Sequence, residues 1–341
     1  MSGTPTAKTK ADFSVAASYK GESGQAVYTI KVGNEYLDIV QISAGGEHTC
    51  AITAAGAAKC WGSGDRGRLG NNSNLSSSVP IGVVGLSSGV ASISAGGYHT
   101  CAVTTAGAAK CWGYNASGQL GNNSTAHSLV PMDVVGLSSG VASISAGAEH
   151  TCAVTTSGAA KCWGSGGSGQ LGNNSTTNSL VPVDVVGLGS SVASISAGAA
   201  LTCAVTTAGA AKCWGSGRDG KLGHNTTTNS SLPVDVVGLS SGVVSISVDS
   251  SRTCAVTTAG AAKCWGANNY GQLGDNSTSN RLVPVDVLGL SSGVTNISAG
   301  AVHTCAATTF GAAKCWGHGA NGKLGYNSTA NSPVPVDLLG D

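Results

Sequence analysis

Charge is scarce in this chain of 341 residues: 10% of positions are Asp, Glu, Lys or Arg, against about 25% in an ordinary soluble domain. With 17 Lys and Arg against 16 Asp and Glu, no cationic excess is available to neutralise a phosphate backbone, so nucleic acid is not an expected partner. Aromatic residues make up 4%, and any core must therefore be assembled from small and β-branched side chains. No apolar run approaches the roughly 18 residues of a membrane span. The opening MSGTPTAKTKADF lacks the apolar stretch of a secretion signal. Also missing are a G-x-S-x-G elbow, a phosphate loop, H-E-x-x-H and a calcium loop, so no enzyme, catalytic residue, metal or cofactor is expected.

Glycine and cysteine stand in their place, 52 and 12 respectively, and they are not scattered. Cysteine pairs occur at Cys50 and Cys60, Cys101 and Cys111, Cys152 and Cys162, Cys203 and Cys213, Cys254 and Cys264, and Cys305 and Cys315, each pair 51 residues from the last. Every second cysteine is followed by a tryptophan: Trp61, Trp112, Trp163, Trp214, Trp265 and Trp316. A strict period of this length marks a solenoid, a propeller or an array.

Within the second unit, VASIS alternates apolar with small polar residues, TCAVTT is β-branched, AAKCWG follows a turn, and VPMDVVGL is valine-rich behind Pro131. These read as four short strands, and their Gly, Ser, Thr and Val content excludes a helical repeat. Four strands with loops make one propeller blade, and radial closure hides most sheet edges. The expected fold is all-β, a β-propeller of six 51-residue four-stranded repeats over residues 38–341. Residues 1–37 do not fit the repeat. There, after a polar tail, FSVAASY and AVYTIKV read as two strands around the turn KGESGQ. They are candidates for a partial seventh blade or for strand addition to a neighbouring molecule.

ISAGGYHT, AVTTAGAAKCWG and GQLG, six times in register, resemble the repeat of the regulator of chromosome condensation family over residues 38–341. The resemblance implies a β-propeller, usually of seven blades, in a family that includes a nuclear nucleotide-exchange factor, a plant light receptor and secreted β-lactamase inhibitors. Fold does not carry function across such a range. The cysteines depart from the family pattern, standing where intracellular members have an apolar residue and often a serine. They suggest a cysteine-paired extracellular variant of bacterial or viral type. Together with the lack of a basic arm beyond Lys8 and Lys10, they count against nuclear nucleotide exchange.

If Thr105, Ala106 and Gly107 form a three-residue loop, Thr104 pairs with Ala108, Val103 with Ala109, Ala102 with Lys110 and Cys101 with Cys111. The cysteines then oppose each other at a non-hydrogen-bonded pair, where Cα atoms approach to about 4.5 Å, within disulfide reach. Six intrablade disulfides are expected, implying an oxidising compartment. Buried free thiols and metal ligands are the competing readings, and nine intervening residues do not suit a metal knuckle. Alternation along the hairpin sends Trp112 to the face opposite Cys101 and Cys111, so each tryptophan should pack on the disulfide side of an adjacent blade.

Chemistry is thin. His48, His99, His150 and His303 share one repeat position with Leu201 and Arg252, which suits a histidine bonded to backbone at a turn better than a catalytic ring. Glu47 and Glu149 precede their histidines, but neighbours in a strand point apart, so neither pair is an acid–base couple. On so faithful a scaffold, recognition is expected where units differ, in loops. One such set is the turn bearing Glu47, Tyr98, Glu149, Ala200, Ser251 and Val302; the other follows CWG and includes Asp65, Arg66, Tyr114, Asn115, Arg218, Asp219, Asn269, Tyr270 and His318. Unit five adds Asp249 and Arg252. The recurring NNST run is a polar loop with N-x-S/T acceptors at Asn123, Asn174, Asn276 and Asn327.

The expected role is a non-enzymatic, secreted or surface-exposed module that contacts a protein or glycan through these loops. The alternative is a structural subunit of an extracellular filament or virion surface, self-associating through residues 1–37. The missing signal sequence opposes an extracellular setting unless the chain as given starts after it.

Overall fold

The computed structural model describes residues 35–339 and two preceding strands, β1 (Val15–Ser18) and β2 (Val27–Val32). The polar tail and the turn KGESGQ fall outside the described residues. Blade one comprises β3 (Glu35–Ala44), His48–Thr53, Ala58–Gly62 and Ser77–Gly82. Blade two repeats it as Val90–Ala95, His99–Thr104, Ala109–Gly113 and Ser128–Asp133, and the series runs to blade six, Val294–Ala299, His303–Thr308, Ala313–Gly317 and Ser332–Asp337. Each blade is an antiparallel meander in chain order. First strands of successive blades lie beside one another at the centre. The propeller of six four-stranded repeats is thus the architecture found.

The hairpin register is as expected: Val103 opposes Ala109, Ala102 opposes Lys110 and Cys101 opposes Cys111. Gly107 sits at φ 79°, the left-handed geometry that glycine reaches without a Cβ clash, and Thr104 N–H donates to the Ala108 carbonyl (2.9 Å). Each bridged pair has a Cα separation of 4.1 Å. The fourth strand is shorter than VPMDVVGL. It ends at Asp133, because Val134 and Leu137 leave the sheet to bury between blades two and three. Pro131 lies in this outermost strand, whose free edge needs no donor.

Five junctions between blades share one packing of a buried tryptophan, and in all but the fifth, where Trp316 Nε1 has no partner among the described residues, its indole also makes a hydrogen bond. At the junction of blades two and three, Trp163 is fully buried against the Cys101–Cys111 bridge, Val103, Ala109 and Leu120. Its Nε1 donates to the Gln119 carbonyl (2.9 Å), and the Thr151 hydroxyl donates to the same oxygen (2.8 Å). With that proton committed, Thr151 Oγ1 accepts from His99 Nε2 at 2.8 Å. The histidine's partner is therefore a threonine of the next blade and not the backbone of its own turn, because its strand aims it across the junction. His48 and His150 repeat the bond with Thr100 and Thr202. Burial lowers the pKa of His48 to about 4, with Arg68 contributing, that of His99 to about 3 with help from the neighbouring histidines, and that of His150 to about 4. All three are neutral. Leu201 fills the same place as a fully buried apolar side chain. Arg252 fills it by donating from Nε to Thr304 Oγ1 (3.0 Å) and from its terminal nitrogen to the carbonyls of Gly300 and His303.

Among the described residues, none of these bonds joins blade six to blade one. Thr49 is half-buried, whereas Thr100, Thr151, Thr202, Thr253 and Thr304 are fully buried, and Trp61 is the one tryptophan not fully enclosed. Ala307 and Ala313 are exposed where Val103 and Ala109 are buried. Radial closure through blades one and six alone is not what the described residues show.

Trp163→Ala removes both packing and an indole donor, and should cost about 3–5 kcal/mol in urea denaturation. The neutral histidines give stability a defined pH dependence. The unfolded chain takes up their protons near pH 6.5 and the folded chain only near 3 to 4. Stability is therefore complete above about pH 6.5 and falls on acidification towards pH 4, by up to about 1.4 kcal/mol per pH unit for each histidine. His99→Leu with His150→Leu, copying blade four, should flatten this slope between pH 6.5 and 4.5. An unchanged slope would show that the histidines do not set it.

Candidate functional site

An antiparallel meander sends the first and third loops of every blade to one end and the hairpin turn and interblade crossing to the other. The variable positions all lie on the first end. Their loops are pinned. Asn72, Asn123, Asn174, Asn225, Asn276 and Asn327 have φ between 59° and 67°, a left-handed conformation that asparagine tolerates better than most residues. The first five donate their N–H to the fourth strand of the next blade, as Asn123 does to the Leu180 carbonyl (3.0 Å). The asparagine-rich run is thus a loop anchor, with Asn72, Asn123, Asn174, Asn225, Asn276 and Asn327 all exposed.

At the edge shared by blades one and two, the structure brings Asp65, Arg66, Tyr98 and Tyr114 together. The Arg66 guanidinium lies 4.5 Å from the centre of the Tyr114 ring, and Arg68 lies 5.7 Å from that of Tyr98. The two tyrosines meet edge to face at 5.9 Å, and the His127 ring lies tilted at 43° against Tyr114, centroids 4.8 Å apart. Arg66 holds φ 58°, which carries its side chain over the ring. Arg68, 2% exposed at its side chain, is bracketed by Glu47 at 3.3 Å and Asp65 at 3.4 Å. Its carbonyl is the acceptor for Trp112 Nε1 (3.0 Å) and the Thr100 hydroxyl (2.9 Å), so the array is fixed to the core through its own backbone. Tyr98 remains 41% exposed.

The other candidates are distributed differently. Tyr270 and His318 meet at a tilt of 50° with centroids 4.5 Å apart across blades five and six, with Lys323 Nζ 3.3 Å from His318 Nδ1. Arg218 is exposed, and Asp219 accepts from Asn280 Nδ2 at 3.1 Å. Asn269 is exposed beside Tyr270, and Asp249 is half-buried. Asn115 and Arg252 are placed inside the protein, each with no exposed surface. Asn115 Nδ2 donates to Asn122 Oδ1, Ser124 O and Ala126 O, while its Oδ1 accepts from Leu120 N–H. It shapes the loop from within and offers nothing to a ligand. Arg252 belongs to a junction, its pKa lowered to about 10 by burial against a partial opposing effect of Asp249.

Sequence reasoning missed Arg68 and His127. The signal was present for Arg68, which stands where the other units carry Gln119, Gln170, Lys221, Gln272 and Lys323. His127 is a substitution in a loop that varies in every unit, and only the fold puts it beside Tyr114.

Among the described residues no group of three or more His, Cys, Asp or Glu could hold a metal ion. A depression on blade six, lined by Gly322, Asn327, Ser328 and Thr329, carries no titratable side chain. No helix among the described residues is long and apolar enough to cross a membrane. What the array can do is hold rigid aromatic rings and a stacked guanidinium, whose Nε lies 3.4 Å from Asp65 Oδ2 and whose side chain is 43% exposed.

Comparison with known proteins places the fold. The chain is 35% identical over 305 residues to the ultraviolet-B receptor UVR8 of Arabidopsis thaliana, covering 87% of this chain and 69% of that protein. It is 32% identical over 277 residues to the human E3 ubiquitin-protein ligase HERC2, covering 79% of this chain but only 6% of the ligase. Among solved structures, Prp20p of Saccharomyces cerevisiae superposes with a TM-score of 0.78 at 20% identity, over 89% of this chain and 77% of that one. The family profile described as the RCC1-like domain matches residues 18–340, and the chain belongs to that family.

Proposed function

We propose that this chain is a non-enzymatic binding module that engages a protein partner through the aromatic and arginine array at the edge of blades one and two. The observation that carries this reading is the stack of Arg66 on Tyr114, continued through Tyr98 to Arg68 and through Tyr114 to His127. Tyrosine and arginine lose little freedom on binding when already stacked, and they dominate the energetics of protein interfaces. Glu47 and Asp65 are 69% and 60% exposed at their side chains, so the surface offers both charge signs around an apolar centre. A partner presenting a carboxylate to Arg66 and a basic group to Glu47 and Asp65 fits it. The RCC1 relatives support a protein ligand over a glycan, since the yeast member Prp20 has been solved bound to Kap60.

The same reading places the chain in an oxidising setting, secreted or on a cell or virion surface. Its support is the presence of six disulfides and no free cysteine among the described residues, since reducing cytosol does not maintain such bridges.

Partners captured by the disulfide-intact protein and then titrated in purified form should bind at least ten-fold more weakly to Tyr114→Ala and to Arg66→Ala. Asn269→Ala, on the far side of the ring, should bind as wild type does. A partner indifferent to the first two substitutions would remove the assignment. Alkylation of thiols at the moment of lysis of the native producing cells should label none of the twelve cysteines. Labelling of most of them would overturn the oxidising setting.

A further inference from the structure

After its third strand every blade makes a four-residue turn that ends in glycine, the N–H of Gly67, Gly118, Gly169, Gly220, Gly271 or Gly322 donating to the carbonyl three residues back. The third residue of the turn divides the blades into two groups. Ser117, Ser168 and Tyr270 stay outside the left-handed region, as in a type I turn, whereas Arg66, Asp219 and Asn321 have φ of 58°, 61° and 62°, the mark of a type II turn. The division follows the residue after the glycine without exception. Gln119, Gln170 and Gln272 accompany the first group, and Arg68, Lys221 and Lys323 the second.

Donor and acceptor chemistry supplies the link. Each glutamine accepts through Oε1 from the N–H of the third turn residue, from Ser117 at 3.0 Å, Ser168 at 2.8 Å and Tyr270 at 2.8 Å. Arginine and lysine carry no acceptor, so the same N–H turned inward would lack a partner. Type I and type II turns differ by a flip of the central peptide, and blade one shows the flipped form: the Asp65 carbonyl faces inward and accepts from Arg68 Nε at 3.0 Å. In blade four the Arg218 carbonyl takes the Lys221 N–H at 3.4 Å. The C=O and N–H of a trans peptide point in opposite directions. The Arg66 N–H is therefore aimed outward on an exposed residue, with no acceptor among the described residues.

We infer that the residue after the turn glycine decides which backbone group a blade shows to a partner: Arg68, Lys221 and Lys323 turn out an N–H, at Arg66, Asp219 and Asn321, and glutamine turns out a carbonyl, at Ala116, Gly167 and Asn269. For blade one this rests on the binding surface proposed above and defines its chemistry further. Arg68 is a positioning residue there, adding a main-chain donor to the array. The partner group that meets Arg66 is accordingly a hydrogen-bond acceptor, and a carboxylate also suits the guanidinium of the same residue. The left-handed arginine is a backbone conformation of the kind that is retained where a site uses it.

The test is NMR of the full, disulfide-intact chain. A residue at positive φ gives a strong intraresidue NOE between its amide and Hα protons. Arg66, Asp219 and Asn321 should show it, and their amides should exchange with solvent about ten-fold or more faster than those of Ser117, Ser168 and Tyr270. Arg68→Gln should abolish the NOE at residue 66 and slow its exchange, while Arg68→Lys should change neither. Gln170→Lys, in blade three and away from the array, should create the NOE at Ser168. A left-handed residue 66 in the Arg68→Gln protein, or an unaltered Ser168 in the Gln170→Lys protein, would overturn the inference. Acetate serves as the carboxylate probe. Its titration should shift the Arg66 amide in the wild type and in Arg68→Lys but not in Arg68→Gln; no shift in the wild type, or an equal one in all three, would overturn the assignment of that N–H to a carboxylate. A partner indifferent to Tyr114→Ala and Arg66→Ala would remove the binding surface and leave the turn rule standing.

Discussion

One carbonyl oxygen per blade holds this propeller together. At Arg68, Gln119, Gln170 and Lys221 it takes the indole proton of the next blade's tryptophan, and at those four residues and Gln272 it takes the hydroxyl proton of the next blade's threonine. The threonine is then free to accept from a histidine or arginine one blade back. Because the acceptor is backbone, its identity does not depend on the side chain it bears. That freedom permits Gln, Lys or Arg at the position, and the candidate surface is built with it. Arg68 points its guanidinium at Tyr98 while its carbonyl secures Trp112.

Strand content, repeat number, hairpin register and disulfide pairing were legible in the sequence because each follows from local spacing. Nine residues between cysteines, with a glycine where the turn needs φ above zero, leave one register that places both sulfurs on one face. The fourth strand was overextended because Val134 and Leu137 look like strand residues, and only neighbouring blades explain their burial. The histidine was given the wrong partner for the same reason. A sequence shows which residues share a unit, but not that unit n reaches unit n+1 through positions 52 residues apart, the separation of His99 and Thr151.

The site was legible in part. Variable columns named Asp65, Arg66, Tyr98 and Tyr114, which the structure brings together at one end of the propeller. The same logic also selected Asn115 and Arg252, because variation between units records relaxed packing as readily as recognition. Asn115 satisfies four loop hydrogen bonds, and Arg252 spans a junction that leucine fills in blade four. Burial separates the two kinds of variation, and a sequence does not carry it.

The disulfides and the junctions divide the work of stability. Each bridge closes an eleven-residue hairpin, so all six restrain the unfolded chain locally and none crosses from one blade to another. Cohesion between blades is then a sum of nearest-neighbour terms, as in other repeat proteins. Blades two to four have two junctions each with the indole bond made, whereas the junction of blades five and six buries Trp316 with its Nε1 unpartnered among the described residues, and it is the one described junction of blade six. Its half-exposed His303 and exposed Ala307 mark where that sum is smallest. Oxidation cannot remedy a weak end, because every cysteine is already paired within its own hairpin. Only apolar cover or a further sheet can.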